Sequence, residues 1–111
     1  MTPGDATAQR RTELHAEIAT IGYVLPGTLN VITNRCGKPN CRCHGDPPQL
    51  HGPYLTWTRK VAGKTITRRL TPQQADRYRP WLENSRRLRA LIAELEALTI
   101  QTAEHAEGWD K

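Results

Sequence analysis

The chain is predicted to be a small α+β protein, and three observations lead there. Apolar residues recur at helical spacing near both ends, as Leu14, Ile18 and Ile21 and as Leu88, Leu91, Leu95 and Leu98. Between them, "YLTWTRKVAGKTITRRL" holds two runs rich in β-branched and aromatic residues joined through Gly63. Ahead of those runs, residues 36–51, "CGKPNCRCHGDPPQLH", gather all three cysteines into a stretch too rich in Gly, Pro, Asn and Asp for regular structure. The expected order is an N-terminal helix, a short strand, a cysteine loop, a β-hairpin forming a small antiparallel sheet, and a long, kinked C-terminal helix.

Each element has its own warrant. Residues 1–5 read as a flexible lead whose Asp5 caps the first helix, because a carboxylate accepts from the free N–H groups of a first turn. Nothing breaks a helix over 6–21, and Gly22 suits the left-handed position just past its end. After the Pro26-Gly27 turn, 29–33 is a short strand. The hairpin spans 54–70, with strands Tyr54–Arg59 and Lys64–Leu70. Alternation puts Leu55, Trp57, Ile66 and Leu70 on one face and Tyr54, Thr56, Thr58, Thr65, Thr67 and Arg69 on the other. The first face needs a helix against it, and the second is left for a partner.

"TPQQ" at 71–74 is a capping box, with Pro72 in the first turn where its missing donor costs nothing. The helix it opens, 72–102, is expected to break near Pro80, which lacks an N–H and crowds the preceding turn. Its stripe of Leu88, Leu91, Leu95 and Leu98, with Ile92 beside it, meets either the first helix in an antiparallel pair or the same helix of a second copy; the first is the commoner use. Residues 103–111 form a polar tail that should fray. At 111 residues there is room for one domain, 6–102, and not for two with cores of their own.

Composition narrows the classes. Phenylalanine is absent and hydrophobic residues make up 37%, so burial alone is a thin basis for holding the middle together. No run approaches the roughly 20 apolar residues of a spanning helix, and no apolar stretch follows Arg10 and Arg11 as in a secretory leader, so a cytoplasmic protein is expected. Charge is uneven. From Arg35 to Arg89 thirteen Lys or Arg face Asp46, Asp76 and Glu83, a net of +10, within a total of +5. A field of that size favours a polyanionic partner. No nucleophile triad, phosphate-cradling glycine loop or carboxylate cluster for magnesium is present, so the chain is not read as an enzyme.

The cysteines pose the sharpest question. In a reducing compartment a disulfide is disfavoured, and an odd count leaves one thiol over. A catalytic cysteine would leave two without a purpose, and iron–sulfur sites usually take four cysteines. Unliganded side chains in a solvated loop are the bland alternative. Cys36, Cys41, Cys43 and His51 instead offer three thiolates and an imidazole, a set that closes a tetrahedral Zn²⁺ site, with Arg35, Lys38 and Arg42 nearby to offset the negative charge. His44 rivals His51 as fourth ligand, but directly after Cys43 it would have to fold back sharply, whereas His51 returns through "GDPPQ".

The run from Cys36 to Gln74, with upstream "PGTL" and downstream "ENSRRLRALIAELEAL", resembles an uncharacterised family of short bacterial and phage-borne proteins. Their signature is CGKxxCxC, a short gap, HGPY, a GK hairpin turn and a basic C-terminal helix, and the resemblance covers roughly residues 24–98. It implies Cys36, Cys41, Cys43 and His51 as the metal set and His44 as a non-ligand. The chain departs from the pattern at Pro80, which interrupts a helix, and at Pro47-Pro48, which lengthens the gap before His51. No activity is implied, although such proteins are similar to small accessory proteins of mobile elements and transposases.

Two functions follow as expectations. One is a zinc-stabilised DNA-binding protein, with Arg59, Lys60, Lys64, Arg68 and Arg69 on the hairpin, Lys38 and Arg42 in the metal loop, and Arg77, Arg79, Arg86, Arg87 and Arg89 on the helix as its cations. The other is an adaptor that docks through Leu88, Leu91, Leu95 and Leu98 onto a recombinase, a transposase or a second copy. The two are compatible as a DNA-binding homodimer. RNA stays open as the nucleic acid: Tyr54, Trp57 and Trp81 are rings that stack on bases, though Trp57 shares a face with Leu55 and reads as core.

Overall fold

A computed structural model describes residues 3–111. The chain runs α1 (Pro3–Ala19), β1 (Thr28–Asn34), a 3₁₀ turn at Arg42–His44, β2 (His51–Val61), β3 (Lys64–Leu70) and α2 (Pro72–Glu107). This is the mixed α+β architecture the sequence predicts. The residues fall into two units, Leu25–Leu82 and Met1–Val24 with Glu83–Lys111.

In the first unit the three strands form one antiparallel sheet in the order β1-β2-β3. Val61 pairs with Lys64, so the hairpin closes through Ala62 and Gly63 alone, at φ of 51° and 81°. A two-residue turn with both centres at positive φ matches the right-handed twist of the strands it joins. On the other side of β2, Leu29 lies opposite Trp57 and Val31 opposite Leu55. Gly27 makes this approach feasible: at φ of 107°, a Cβ there would stand 2.2 Å from the Thr58 carbonyl oxygen and 2.6 Å from Trp57 Nε1. With no side chain in the way, the Trp57 indole donates to the Pro26 carbonyl at 2.8 Å.

The register places Leu55, Trp57, Ile66 and Leu70 on one face, as alternation predicts, and all four are half-buried. That face is less purely apolar than expected, since Arg59 and Arg68 share it. The most buried residue of the sheet is Thr56 on the opposite face, at 5% exposure, set in the central strand with its hydroxyl 3.5 Å from the Asn30 carbonyl.

The expected capping box is present: the Thr71 N–H donates to Gln74 Oε1 at 2.9 Å and the Gln74 N–H to Thr71 Oγ1 at 3.1 Å. The helix it opens does not break. α2 continues through Pro80, because the Asp76 carbonyl that loses its donor belongs to an exposed residue and water can satisfy it. One residue on, the Trp81 carbonyl accepts from the Leu25 N–H at 3.0 Å.

In the second unit α1 and the later part of α2 run antiparallel. Arg10 pairs with Glu94, its Nη2 3.0 Å from Oε1 and its Nε on Oε2, while Asn84 Nδ2 donates to the Tyr23 carbonyl at 2.9 Å. Leu14 is fully buried, and Leu88, Leu91, Leu95 and Leu98 are half-buried while Arg89, Ile92 and Glu96 are exposed. The leucine stripe is thus the more buried side of α2 within this unit.

Three end assignments differ from expectation. α1 begins by Pro3, so Asp5 lies inside its first turn and does not precede it; residues 1 and 2 of the expected lead lie outside the described residues. It ends at Ala19 with Thr20 and Ile21 folding back onto Glu17 and Ile18, before Gly22 is reached. α2 runs on into the expected tail as far as Glu107. Gly108, at φ of 70°, donates to His105 at 3.2 Å and Trp109 to Glu104 at 2.8 Å, a Schellman closure that satisfies the last carbonyls.

Candidate metal centre

The loop between β1 and β2 carries the site. Cys36 stands two residues past the end of β1, Cys41 and Cys43 stand at the edge and middle of the 3₁₀ turn, and His51 is the first residue of β2, paired across the sheet with Asn34. Pairing fixes the two ends of the loop, and a chain of turns shapes the middle. Cys41 N–H donates to Lys38, His44 N–H to Cys41, and both Gly45 and Gln49 to the Arg42 carbonyl, all at 3.0–3.1 Å. Gly52, at φ of 106°, turns the chain after His51, where a Cβ would stand 2.8 Å from the Ile32 carbonyl oxygen.

The result is convergence. One ligand atom each from Cys36, Cys41, Cys43 and His51 lies within 4.8 Å of every other. Cys36 Sγ and Cys43 Sγ are 3.6 Å apart, and Cys41 Sγ is 3.2 Å from His51 Nε2. Bonds of about 2.3 Å to sulfur and about 2.0 Å to nitrogen in a tetrahedral site would separate neighbouring ligands by roughly 3.5–3.8 Å, so the four atoms stand near the corners such an ion requires. All three cysteines are free in this structure, so every sulfur is available as a ligand. His44 is not in the cluster. Its Nε2 lies 2.6 Å from the Cys36 carbonyl oxygen, where it ties the two ends of the cysteine loop together.

The electrostatics fit the same purpose. The Cys43 N–H, with help from Cys36, Cys43 and His51 side chains, lowers the Cys41 thiol to about 6, so it is largely thiolate at neutral pH. Burial pushes the Cys43 thiol up, since it is fully enclosed and faces two other sulfurs. The Cys36 N–H donates to Cys43 Sγ at 3.3 Å, the kind of outer contact that orients a sulfur ligand. Three thiolates drawn together this closely repel one another, and a cation at their centre removes that cost.

The twelve cations named from the sequence are not gathered on one surface. In the sheet, register divides them: Arg59, Lys64 and Arg68 share the face of Trp57, while Lys60 and Arg69 share that of Thr56. Arg59 lies over the Trp57 ring at 4.7 Å and Arg69 over the Tyr54 ring at 3.7 Å. Lys38 and Arg42 are exposed in the metal loop. Arg79 is paired with Asp76 at 3.1 Å, and Arg77 lies near the Tyr78 ring. Arg86, Arg87 and Arg89 are exposed on α2 in the other unit. Sequence reasoning passed over Tyr78 and gave Gln74 only its capping role; both join Trp57 and Trp81 in a cleft, and the spacing of Tyr78 and Trp81, one helical turn apart, was the available signal.

The fold and cluster define a small α+β protein whose β1–β2 loop gathers a Cys₃His set with the spacing to hold a metal ion. Residues 5–80 match the family model described as "Domain of unknown function (DUF6788)", and the chain belongs to that family. No curated protein and no solved structure matches the chain. Among the described residues no helix is long and apolar enough to cross a membrane.

Proposed function

We propose that this chain is a zinc protein that binds DNA through its sheet unit, acting as an accessory or regulatory factor of a mobile element or phage. Zinc suits the donors best: thiolate and imidazole are its usual structural ligands, and Cys36, Cys41, Cys43 and His51 close a four-coordinate site with no open position for water. The ion's part is to hold the loop, and no catalysis is assigned to it. The observation that carries the DNA reading is charge. Residues 25–82 hold ten Lys or Arg against Asp46 and Asp76, a net of +8 on the unit that also carries the metal loop. The mobile-element role rests on the sequence resemblance alone.

A salt titration tests it. If several of these cations neutralise phosphates, log affinity falls against log salt with a slope of about −0.9 per contact between about 50 and 200 mM. Binding with no salt dependence, or none at low salt, refutes the reading. Exposed Ile92 and Ile100, at 41% and 57%, favour a second reading, an adaptor that docks along α2 on a partner recombinase or transposase or on a second copy. Concentration-dependent mass by light scattering supports the self-association form of it, and a monomer at all concentrations removes that form.

A further inference from the structure

Within the sheet unit, the face of Trp57 is not closed off. Leu25, Trp57, Leu70, Tyr78 and Trp81 line a cleft of about 420 Å³, with Arg68 and Gln74 among its polar lining. That volume lies in the range of about 300–1,000 Å³ typical of small-molecule sites. Three aromatic rings therefore share one recess, and Tyr78 and Trp81 hold their centroids 5.2 Å apart at 49°. The polar groups are few and of one kind. The Arg68 guanidinium has no ion-pair or hydrogen-bond partner among the described residues, and Gln74, whose Oε1 accepts from Thr71, keeps its amide N–H groups as donors.

We propose that this cleft receives an unpaired base of a single-stranded nucleic acid, with Tyr78, Trp57 and Trp81 offering stacking surfaces and Arg68 taking the adjoining phosphate. The proposal rests on the nucleic-acid reading above and says which form of nucleic acid that reading concerns. Flat π-surfaces with unpartnered donors suit a flat, anionic ligand, and the +8 of the surrounding unit selects a polyanion over a neutral aromatic molecule. In a duplex both faces of a base are covered by its neighbours, so only a single strand or an extruded base presents the surface this recess takes.

The test uses the full chain in its metal-loaded form, in a Trp109→Phe background so that emission comes from Trp57 and Trp81. Single-stranded DNA, single-stranded RNA of the same sequence and the DNA duplex are titrated in parallel. Expected are quenching by a single strand, tighter binding to it than to the duplex, and a loss of roughly tenfold with Tyr78→Leu or Arg68→Gln that the duplex does not show. Lys60→Gln, on the other face, should weaken all three alike. Preference for one sugar identifies the strand, and either preference supports the cleft. Equal or tighter binding to duplex with Tyr78→Leu silent overturns the cleft and leaves DNA binding standing, whereas no binding to any of the three overturns both. Retained metal content and far-UV dichroism show that each variant is folded.

Discussion

The two units of this chain are held by different physics. The helical unit, Met1–Val24 with Glu83–Lys111, carries six Lys or Arg against nine acids, a net of −3, and is organised around fully buried Leu14 and a stripe of leucines. The sheet unit carries +8 and buries only Cys43, Thr56, Ala75 and Leu82 below a tenth of their surface. One of those four is a metal-ligand candidate and one is polar. Where apolar side chains are scarce, the zinc site proposed above would take over the work that burial does elsewhere. The comparison teaches that a Phe-free sequence need not be a loosely folded one.

The largest break between the units should come from the metal. Structural zinc contributes about 10–16 kcal/mol of apparent binding energy in small domains, more than a unit this size can replace. Chelation should therefore deprotect the backbone amides of β1, β2 and β3 in hydrogen exchange while those around Leu14 and Leu95 stay protected. Loss of protection in both units together would erase the distinction.

Next in size is the reciprocal experiment. Leu14→Ala removes the fully buried side chain of the helical unit and should cost about 2–5 kcal/mol there. Thermal unfolding should show that loss with metal content unchanged. A fall in bound metal would mean that the units depend on one another for stability. Thr71→Ala comes third: it removes the hydroxyl that accepts from the Gln74 N–H, and should lower stability by about 1 kcal/mol. Gly at the same position should cost much less, because it caps nearly as well.

The smallest effect is a pH dependence confined to the helical unit. The Arg10 guanidinium holds the Glu94 carboxyl below its usual range. A depressed carboxylate contributes stability fully above its unfolded value of 4.5 and loses it as pH falls through the lower folded value. Wild type should therefore lose slightly more stability than Glu94→Gln on acidification below that value, and salt should shrink the difference because the pair is exposed. Identical acid profiles would show that the pair contributes nothing measurable.

Much of this was legible in the residues, where a local rule decides. The capping box is a contact between Thr71 and Gln74, three residues apart, and the hairpin face follows from alternation alone. The Cys₃His set could be read because few other uses exist for three cysteines and a histidine gathered in one short loop, and the choice of His51 over His44 followed from how far each can reach. What escaped was set by context. Pro80 breaks an isolated helix but is tolerated where solvent takes the orphaned carbonyl. Gly22 had the right composition for a helix stop, yet α1 stops earlier by closing its last turn on Glu17 and Ile18, whereas Gly108 supplies the stop that went unnoticed at the other end. The cleft needs Trp57 and Tyr78 brought together from a strand and a helix, which no spacing rule contains.

The most direct measurement is the metal content of the native protein by mass spectrometry, alongside a Cys41→Ser variant. One zinc per chain, lost or severely reduced in the variant, is the predicted result. A metal-free native protein whose three thiols all react freely with an alkylating agent would contradict the account at its root.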